Sequence, residues 1–229
     1  MSETNNLLKD ISFLENYLTW RLAQPLPGLN SQLKMSINPL SSGLTRQKMS
    51  REAWPAAVLV LFYPFQGQIF LVLIKRSGQV RYHQHQISFP GGQKEESESI
   101  EQAALRETRE ELNINQMEIK LAGRLTPLFI EVSNYCLQPV VATATSRPDF
   151  KPNPQEVAEI IELPLSHLLD PKNKKEEWQW LRGQSVLIPF FEFHGYQIWG
   201  ATAMVLSELI DILNEKIEPA RLASHKNQG

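Results

Sequence analysis

The chain has 229 residues, enough for one large domain, and two independent full-size domains are not expected. Hydrophobic residues make up 42% and charged residues 21%, which is typical of a globular protein with a buried core. The net charge of −2 excludes a generally basic nucleic-acid binder, and a single cysteine, Cys136, excludes an intrachain disulfide framework and a cysteine-cluster metal site. The sequence shows no secretion signal and no apolar run of 18 residues, so we expect no membrane association and a cytoplasmic location.

The beginning of the chain predicts a helix followed by irregular structure. Apolar residues three to four apart over 7–22 form one helical stripe. Residues 25–54 are rich in Pro, Ser, Asn and Gly, which predicts a linker or a covering loop. We therefore expect three parts: an N-terminal helix with its linker (1–52), a main domain (53–216) and a tail (217–229).

The main domain is predicted to mix strands and helices. Short apolar runs rich in β-branched and aromatic residues predict strands at 56–63, 68–75, 119–125, 137–143, 156–163 and 186–193. A helix is predicted over 99–112, where Ser99 and Gln102 can form a capping box, and another over 201–216, which carries one apolar face. Because the strands enclose a helix in mid-sequence, we expect a layered α/β fold.

Three glutamates lie close together on the predicted mid-sequence helix. Glu107, Glu110 and Glu111 stand three and four residues apart, so their carboxylates project from one helix face. Carboxylates so close repel one another, and a divalent cation would relieve that repulsion; oxygen ligands of this kind suit Mg²⁺ or Mn²⁺. A solvated acidic helix face has the same spacing, and the spacing alone does not exclude it.

The residues around these glutamates follow a longer pattern. It runs from Gly92 through five residues to a glutamate, then through seven residues to an Arg-Glu pair, and ends in a Glu-Glu pair. This stretch resembles the Nudix box, G-x5-E-x7-R-E-U-x-E-E-x-G-U, where U is a bulky aliphatic residue. The matching landmarks are Gly92, Glu98, Arg106, Glu107, Glu110 and Glu111. Thr108 replaces an aliphatic residue, and Asn113 replaces a glycine; asparagine is the next-best residue for a left-handed helix end.

The resemblance implies a Nudix-type α/β/α sandwich with a mixed β-sheet, to which this chain adds an N-terminal helix. It also implies hydrolysis of a nucleoside diphosphate linked to another group, with Mg²⁺ or Mn²⁺ as cofactor. By position, Glu107, Glu110 and Glu111 would bind the metal, with the Gly91 carbonyl as a backbone ligand, and Arg106 would pair with Glu98. For the general base, Glu156 is the candidate, with Glu159 behind it, and a plain surface role for either residue is the alternative.

The segment before the box indicates an anion-binding face. No acidic residue occurs over 53–94, while basic residues and histidines cluster over 75–85. The letters LVLIKRSGQVRYHQHQISFPGG resemble the additional motif of the Nudix subfamily that cleaves coenzyme A, and the resemblance extends over about 53–214. The matching positions are Leu73, Arg76, Ser77, Arg81, Phe89, Pro90, Gly91 and Gly92. His85 stands where that motif has glycine, and we expect its side chain to narrow or alter the pocket.

The resemblance thus implies a diphosphatase that cleaves coenzyme A or a derivative into 4′-phosphopantetheine and 3′,5′-ADP. The predicted substrate-binding residues are Arg76, Ser77, Arg81, Phe89, Gly91 and Gly92; the aromatic candidates for adenine stacking are Trp54, Phe89, Tyr135 and Trp199. The alternatives are a pyrophosphatase for ADP-ribose or a dinucleotide, and a non-catalytic nucleotide-sensing module. We expect a small-molecule substrate, neither nucleic acid nor membrane as partner, and leave open a homodimer.

Overall fold

The computed structural model describes residues 7–37, 53–79, 84–181 and 183–215. The helices are α1 (Ile11–Leu22), α2 (Leu29–Gln32), α3 (Ile100–Leu112), α4 (Leu165–Leu168) and α5 (Gly200–Leu213). The strands are β1 (Trp54–Phe65), β2 (Gln68–Arg76), β3 (Ile87–Ser88), β4 (Gly91–Gln93), β5 (Ile119–Arg124), β6 (Leu128–Ile130), β7 (Tyr135–Ala144), β8 (Val157–Pro164), β9 (Lys174–Leu181), β10 (Gln184–Phe193) and β11 (Tyr196–Ile198). None of the helices in these ranges is both long and apolar enough to cross a bilayer.

The large sheet is mixed, as the sequence predicts. Its central order is β3-β2-β1-β7-β5, with β4, β6 and β8 paired to β1, β7 and β2 respectively. Strands β1 and β7 run parallel, whereas β1 with β2, β2 with β8, and β5 with β7 run antiparallel. Strands β9, β10 and β11 form a separate antiparallel sheet.

Both faces of the large sheet are covered by helices. Side chains along β1 alternate between the two faces: Val60 and Phe62 pack in a cluster with residues of α1 and α5, whereas Leu59 and Leu61 pack with residues of α3. All four side chains are fully buried. A strand buried on both faces reads as a continuous apolar run, which explains the uninterrupted sequence of β1. The predicted α/β/α sandwich is confirmed.

Helix α3 begins and ends as the sequence predicts. Ser99 caps its first turn, and both hydrogen bonds of the capping box with Gln102 are present. Asn113 ends the helix in the left-handed conformation, with φ 54° and ψ 35°. Thr108 is fully buried, and its hydroxyl donates to the Ala104 carbonyl at 2.7 Å. Both departures from the box pattern are therefore compatible with the local backbone.

The left-handed Asn113 gives a direct stability prediction. Asn113→Gly is expected to be neutral or slightly stabilising, because glycine adopts this conformation without steric cost. Asn113→Val is expected to lower the free energy of unfolding by about 1 kcal/mol or more, since a β-branched residue is strained at positive φ. Urea denaturation of the two variants measures the difference, and equal midpoints would contradict it.

The region predicted as a linker or covering loop is partly helical and packs on α5. Helix α2 is followed by a short turn of 3₁₀-helix, Leu33–Met35, and Gln32 and Met35 are fully buried. Ahead of it, the Tyr17 hydroxyl on α1 donates to the Ile212 carbonyl on α5 at 2.5 Å. These contacts fix the N-terminal residues against the main domain, while the predicted boundary at 52/53 stays a prediction.

Candidate active site

A cavity of about 630 Å³ lies beside the start of β4 and the carboxylates of α3. Its lining includes one arginine and four glutamates, and its apolar residues come from β1, β3, β6, β7, α5 and the N-terminal segment. Predicted site residues that line it are Arg76, Phe89, Gly91, Gly92, Glu107, Glu111 and Glu156. The fold therefore brings residues from four separate sequence segments to one cavity, although their individual roles stay predictions.

Glu111 is the most deeply buried carboxylate of this cavity, with 1% of the residue exposed. The Gly91 amide donates to its Oε2 at 2.9 Å, and Arg76 Nη1 lies 3.5 Å from its Oε1. Burial raises the pKa of Glu111 to about 8, against the opposing effects of the Gly91 hydrogen bond and the Arg76 charge. A strongly shifted carboxylate in a cleft is a common property of functional sites.

Arg106 lies among three carboxylates of the box. Its guanidinium donates to Glu98 at 2.8 and 3.0 Å, to Glu107 at 2.9 Å and to Glu110 at 3.0 Å. The predicted Glu98–Arg106 pair is thus present, and it joins the loop before α3 to the helix. Burial raises the pKa of Glu107, and the Arg106 hydrogen bond opposes this. Glu110 has the most exposed side chain of these three glutamates, and it is not among the described residues that line the cavity.

The two glycines at the start of β4 allow the backbone to approach these carboxylates. Gly91 has φ +147°, and a Cβ there would lie 2.2 Å from the Ala57 carbonyl oxygen across the β1–β4 pairing. A Cβ on Gly92 would lie 2.5 Å from the Glu107 carboxylate. At these two positions a side chain would therefore collide with β1 at Gly91 and with Glu107 of α3 at Gly92.

Glu156 reaches the same cavity from the loop before β8. Its charge contributes to raising the pKa of both Glu107 and Glu111. The side-chain Nδ2 of Asn153 donates to Glu156 Oε1 at 3.0 Å, and its backbone N–H donates to the Glu111 backbone carbonyl at 2.8 Å. Asn153 is a residue that sequence reasoning missed. The other base candidate, Glu159, instead accepts a hydrogen bond from Tyr196 and does not line the cavity.

The remaining predicted binding residues differ in position. Phe89, Tyr135 and Trp199 line the cavity, whereas Trp54 lies outside it with 58% of the residue exposed. Ser77 is buried, donates its amide to the Glu156 carbonyl at 2.8 Å and does not line the cavity. The structure therefore gives Ser77 a role in supporting the Glu156 loop, and its contact with substrate stays a prediction.

His85, expected to narrow or alter the pocket, is not among the described residues that line the cavity, and its effect on the pocket stays a prediction. His85 has φ 59°, and its ring lies over Gly78, where an added Cβ would be 2.8 Å from the ring. The side chain is exposed and does not line the cavity. Glycine at this position of the motif thus serves a left-handed backbone turn. Arg81 lies outside the described residues.

Comparison with known proteins identifies the family. The NUDIX domain model matches residues 53–184, which is more than half of the chain. The chain belongs to the Nudix family. It is 30% identical over 201 residues to the human mitochondrial coenzyme A diphosphatase NUDT8, covering 85% of this chain and 84% of that protein. It is 32% identical to Arabidopsis thaliana Nudix hydrolase 15, mitochondrial, covering 79% of this chain and 65% of that protein.

Solved structures support the Nudix fold. The Nudix hydrolase RenU from M. smegmatis superimposes with a TM-score of 0.50 at 18% identity, covering 72% of this chain and 91% of that one. At this identity the similarity concerns the fold. It agrees with the mixed sheet and the two helical layers of the described residues.

Nudix hydrolases generally use divalent cations such as Mg²⁺ or Mn²⁺. The donor chemistry fits: carboxylate oxygens of Glu107, Glu111 and Glu156 border one cavity, and hard cations prefer oxygen ligands. In the described part of the chain, however, no three His, Cys, Asp or Glu side chains are gathered as metal ligands would be. Arg106 contacts one carboxylate oxygen each of Glu107 and Glu110, which leaves the second oxygen of each as a candidate metal ligand.

Proposed function

We propose that this Nudix protein hydrolyses the pyrophosphate bond of coenzyme A or a derivative, with Mg²⁺ or Mn²⁺, to give 4′-phosphopantetheine and 3′,5′-ADP. The observation that carries the proposal is the composition of the cavity, whose lining combines Arg76, Glu107 and Glu111 with apolar residues of β6 and α5. Such a cavity suits a ligand with an anionic diphosphate next to a long uncharged arm. The similarity to the human coenzyme A diphosphatase supports the same substrate class.

The residues that line or border the cavity would have separate roles in hydrolysis. Glu107, Glu110 and Glu111 would hold the metal, which when bound polarises the phosphates and lowers the pKa of water. Arg76 would place its guanidinium against a phosphate oxygen, because its Nε is buried and has no hydrogen-bond partner among the described residues. Water oxygen attacks one phosphorus, the bond from that phosphorus to the bridging oxygen breaks, and the Glu156 carboxylate accepts the proton of the water.

Two alternatives remain relevant. A Nudix pyrophosphatase for ADP-ribose or a dinucleotide would use the same carboxylates but would bring a more polar group to the apolar residues of the cavity. A non-catalytic nucleotide-sensing module would have no use for Glu107 and Glu111 at one cavity, where burial raises the pKa of both carboxylates. The cavity therefore favours a catalytic role.

The proposal is tested by incubating the protein with a panel of diphosphates and Mg²⁺ or Mn²⁺, and separating the products by chromatography. We expect coenzyme A to be cleaved with the highest kcat/KM of the panel and to yield 4′-phosphopantetheine and 3′,5′-ADP in equal amounts. A wide preference for ADP-ribose or a dinucleotide would contradict the substrate, and no cleavage of any member would contradict the activity.

The oligomeric state and the cellular location are not tested by the cavity. The small-molecule substrate is part of the proposal, while a homodimer stays a prediction. The cytoplasmic location expected from the sequence also stays a prediction, and the human and Arabidopsis relatives are both named as mitochondrial.

A further inference from the structure

Several apolar residues that line the cavity lie outside the matched NUDIX domain, 53–184. Ser36 and Ile37 line it from the N-terminal segment, and α5 contributes residues from its first two turns. The other apolar lining residues, on β1, β3, β6, β7 and their loops, belong to the matched domain. The residues of this surface, called the flanking wall below, are Ile37, Leu128, Ile130, Ala201, Met204 and Val205.

A fully buried carboxylate ties the parts of the flanking wall together. Glu208 on α5 is 0% exposed. It accepts hydrogen bonds from Thr126 Oγ1 at 2.6 Å, from Gln32 Nε2 at 3.0 Å and from the Gly28 amide at 3.2 Å. These donors are neutral, and burying a carboxylate among neutral groups is costly unless several of them bind it. Glu208 thus joins three segments: the N-terminal segment, the turn before β6, and α5.

Further contacts fix the N-terminal segment just before it reaches the cavity. The Ser207 hydroxyl donates to the Ser31 carbonyl at 2.7 Å. Lys34 Nζ donates to both carboxylate oxygens of Asp211, at 2.6 and 2.8 Å. The position of Ile37 in the flanking wall is therefore determined by its anchorage to α5.

Two hydroxyl groups at the cavity point to the kind of ligand that the flanking wall receives. The Oγ atoms of Ser88 and Ser133 are buried and have no hydrogen-bond partner among the described residues, and both residues line the cavity. Buried polar atoms are nearly always paired, so these two indicate partners supplied by a ligand. Hydroxyl groups beside an apolar wall suit an uncharged chain that carries amide groups.

We propose that the flanking wall binds the uncharged, amide-containing arm of the substrate, and that segments outside the NUDIX domain thereby determine specificity for this arm. The inference rests on the proposed function, because the pyrophosphate is taken to lie at Glu107 and Glu111. The nucleotide half would then lie away from the flanking wall. The arm corresponds chemically to pantetheine, which has two amides and no charge.

The proposal is tested by placing a larger side chain in the flanking wall at Ala201. This residue is half-buried and lies in the first turn of α5. Ala201→Leu is expected to raise KM for coenzyme A roughly tenfold with kcat nearly unchanged, because a misfit away from the reacting atoms affects ground state and transition state alike. Pantetheine binding, measured by calorimetry, should weaken by a similar factor, and the affinity for 3′,5′-ADP should stay the same. Ala23→Leu is the matched control, since Ala23 is exposed and lies outside the cavity.

A second variant keeps the test informative if Ala201→Leu misfolds. Ser88→Ala removes only a hydroxyl and should weaken pantetheine binding several-fold without changing that of 3′,5′-ADP. Unchanged pantetheine binding and unchanged KM in both variants would overturn the inference while leaving coenzyme A cleavage intact. If the parent binds pantetheine in a manner sensitive to Ala201 and Ser88 but does not cleave coenzyme A, the inference stands and the proposed function fails. A parent that does not bind pantetheine at all overturns the inference.

Discussion

Glu111→Gln is expected to lower kcat by about a hundredfold or more at saturating Mg²⁺ while leaving the fold intact. The substitution keeps the size of the side chain and its ability to accept from the Gly91 amide, now 2.9 Å from Oε2. It removes the negative charge that a metal ion would need. Burial raises the pKa of Glu111 to about 8, which means that its charge is unfavourable in the metal-free fold, so glutamine should not lower the thermal stability of the metal-free protein.

The matched control is Glu118→Gln, at an exposed glutamate away from the cavity. We expect parent-like turnover in that variant. Binding of Mn²⁺, followed by electron paramagnetic resonance, separates the two roles that a loss of activity permits: a ligand role predicts weaker binding in Glu111→Gln, whereas a purely proton-accepting role predicts unchanged binding. Parent-like turnover of Glu111→Gln would contradict both roles.

Where local chemistry determines the structure, the sequence predicted it well. The ends of α3 depend on Ser99, Gln102 and Asn113, whose capping preferences act within a few residues. The long apolar runs of β1 and β2 likewise reflect burial on both faces of the sheet. The carboxylates of the box follow because α3 fixes their relative positions.

Elements without a local signal were missed. Strand β9 has the sequence KKEEWQWL, which lacks the alternation of a half-buried strand, and Trp178 and Trp180 are exposed to 67% and 76%. It forms because it pairs with β10, so its structure depends on a neighbour along the chain. The helical turn at 29–32 was missed for a related reason: Gln32 is buried through its contact with Glu208, 176 residues away.

The candidate site also combines residues with a local sequence signal and residues whose role depends on contacts distant in sequence. The acidic residues of α3 were predictable, but Asn153 was not, because its importance comes from touching Glu156 and the end of α3 together. The backbone conformation of His85 was not predicted, because a glycine in a motif can mean either a need for space or a need for positive φ. The structure shows the second meaning here, with φ 59°.

The second prediction with a large effect concerns Arg76, whose position suggests a contact with the pyrophosphate. Arg76 Nη1 lies 3.5 Å from Glu111 Oε1, and its Nε is buried without a partner among the described residues. Arg76→Ala is expected to lower kcat/KM for coenzyme A by about ten- to more than hundredfold, the loss of a charge-assisted hydrogen bond worth roughly 1.5–3 kcal/mol. Arg124→Ala, which removes a surface arginine paired with Glu101, should have no such effect.

Dephospho-coenzyme A, which lacks the 3′-phosphate, locates the contact. Because Arg76 lies beside the buried carboxylate at which we place the metal and the pyrophosphate, its replacement should reduce kcat/KM for both substrates by the same factor. Comparing variant and substrate together isolates the pairwise contribution more cleanly than either change alone. A loss confined to coenzyme A would place Arg76 at the 3′-phosphate and reverse the orientation of the substrate in the cavity. Unchanged kcat/KM on both substrates would remove Arg76 from the binding site altogether.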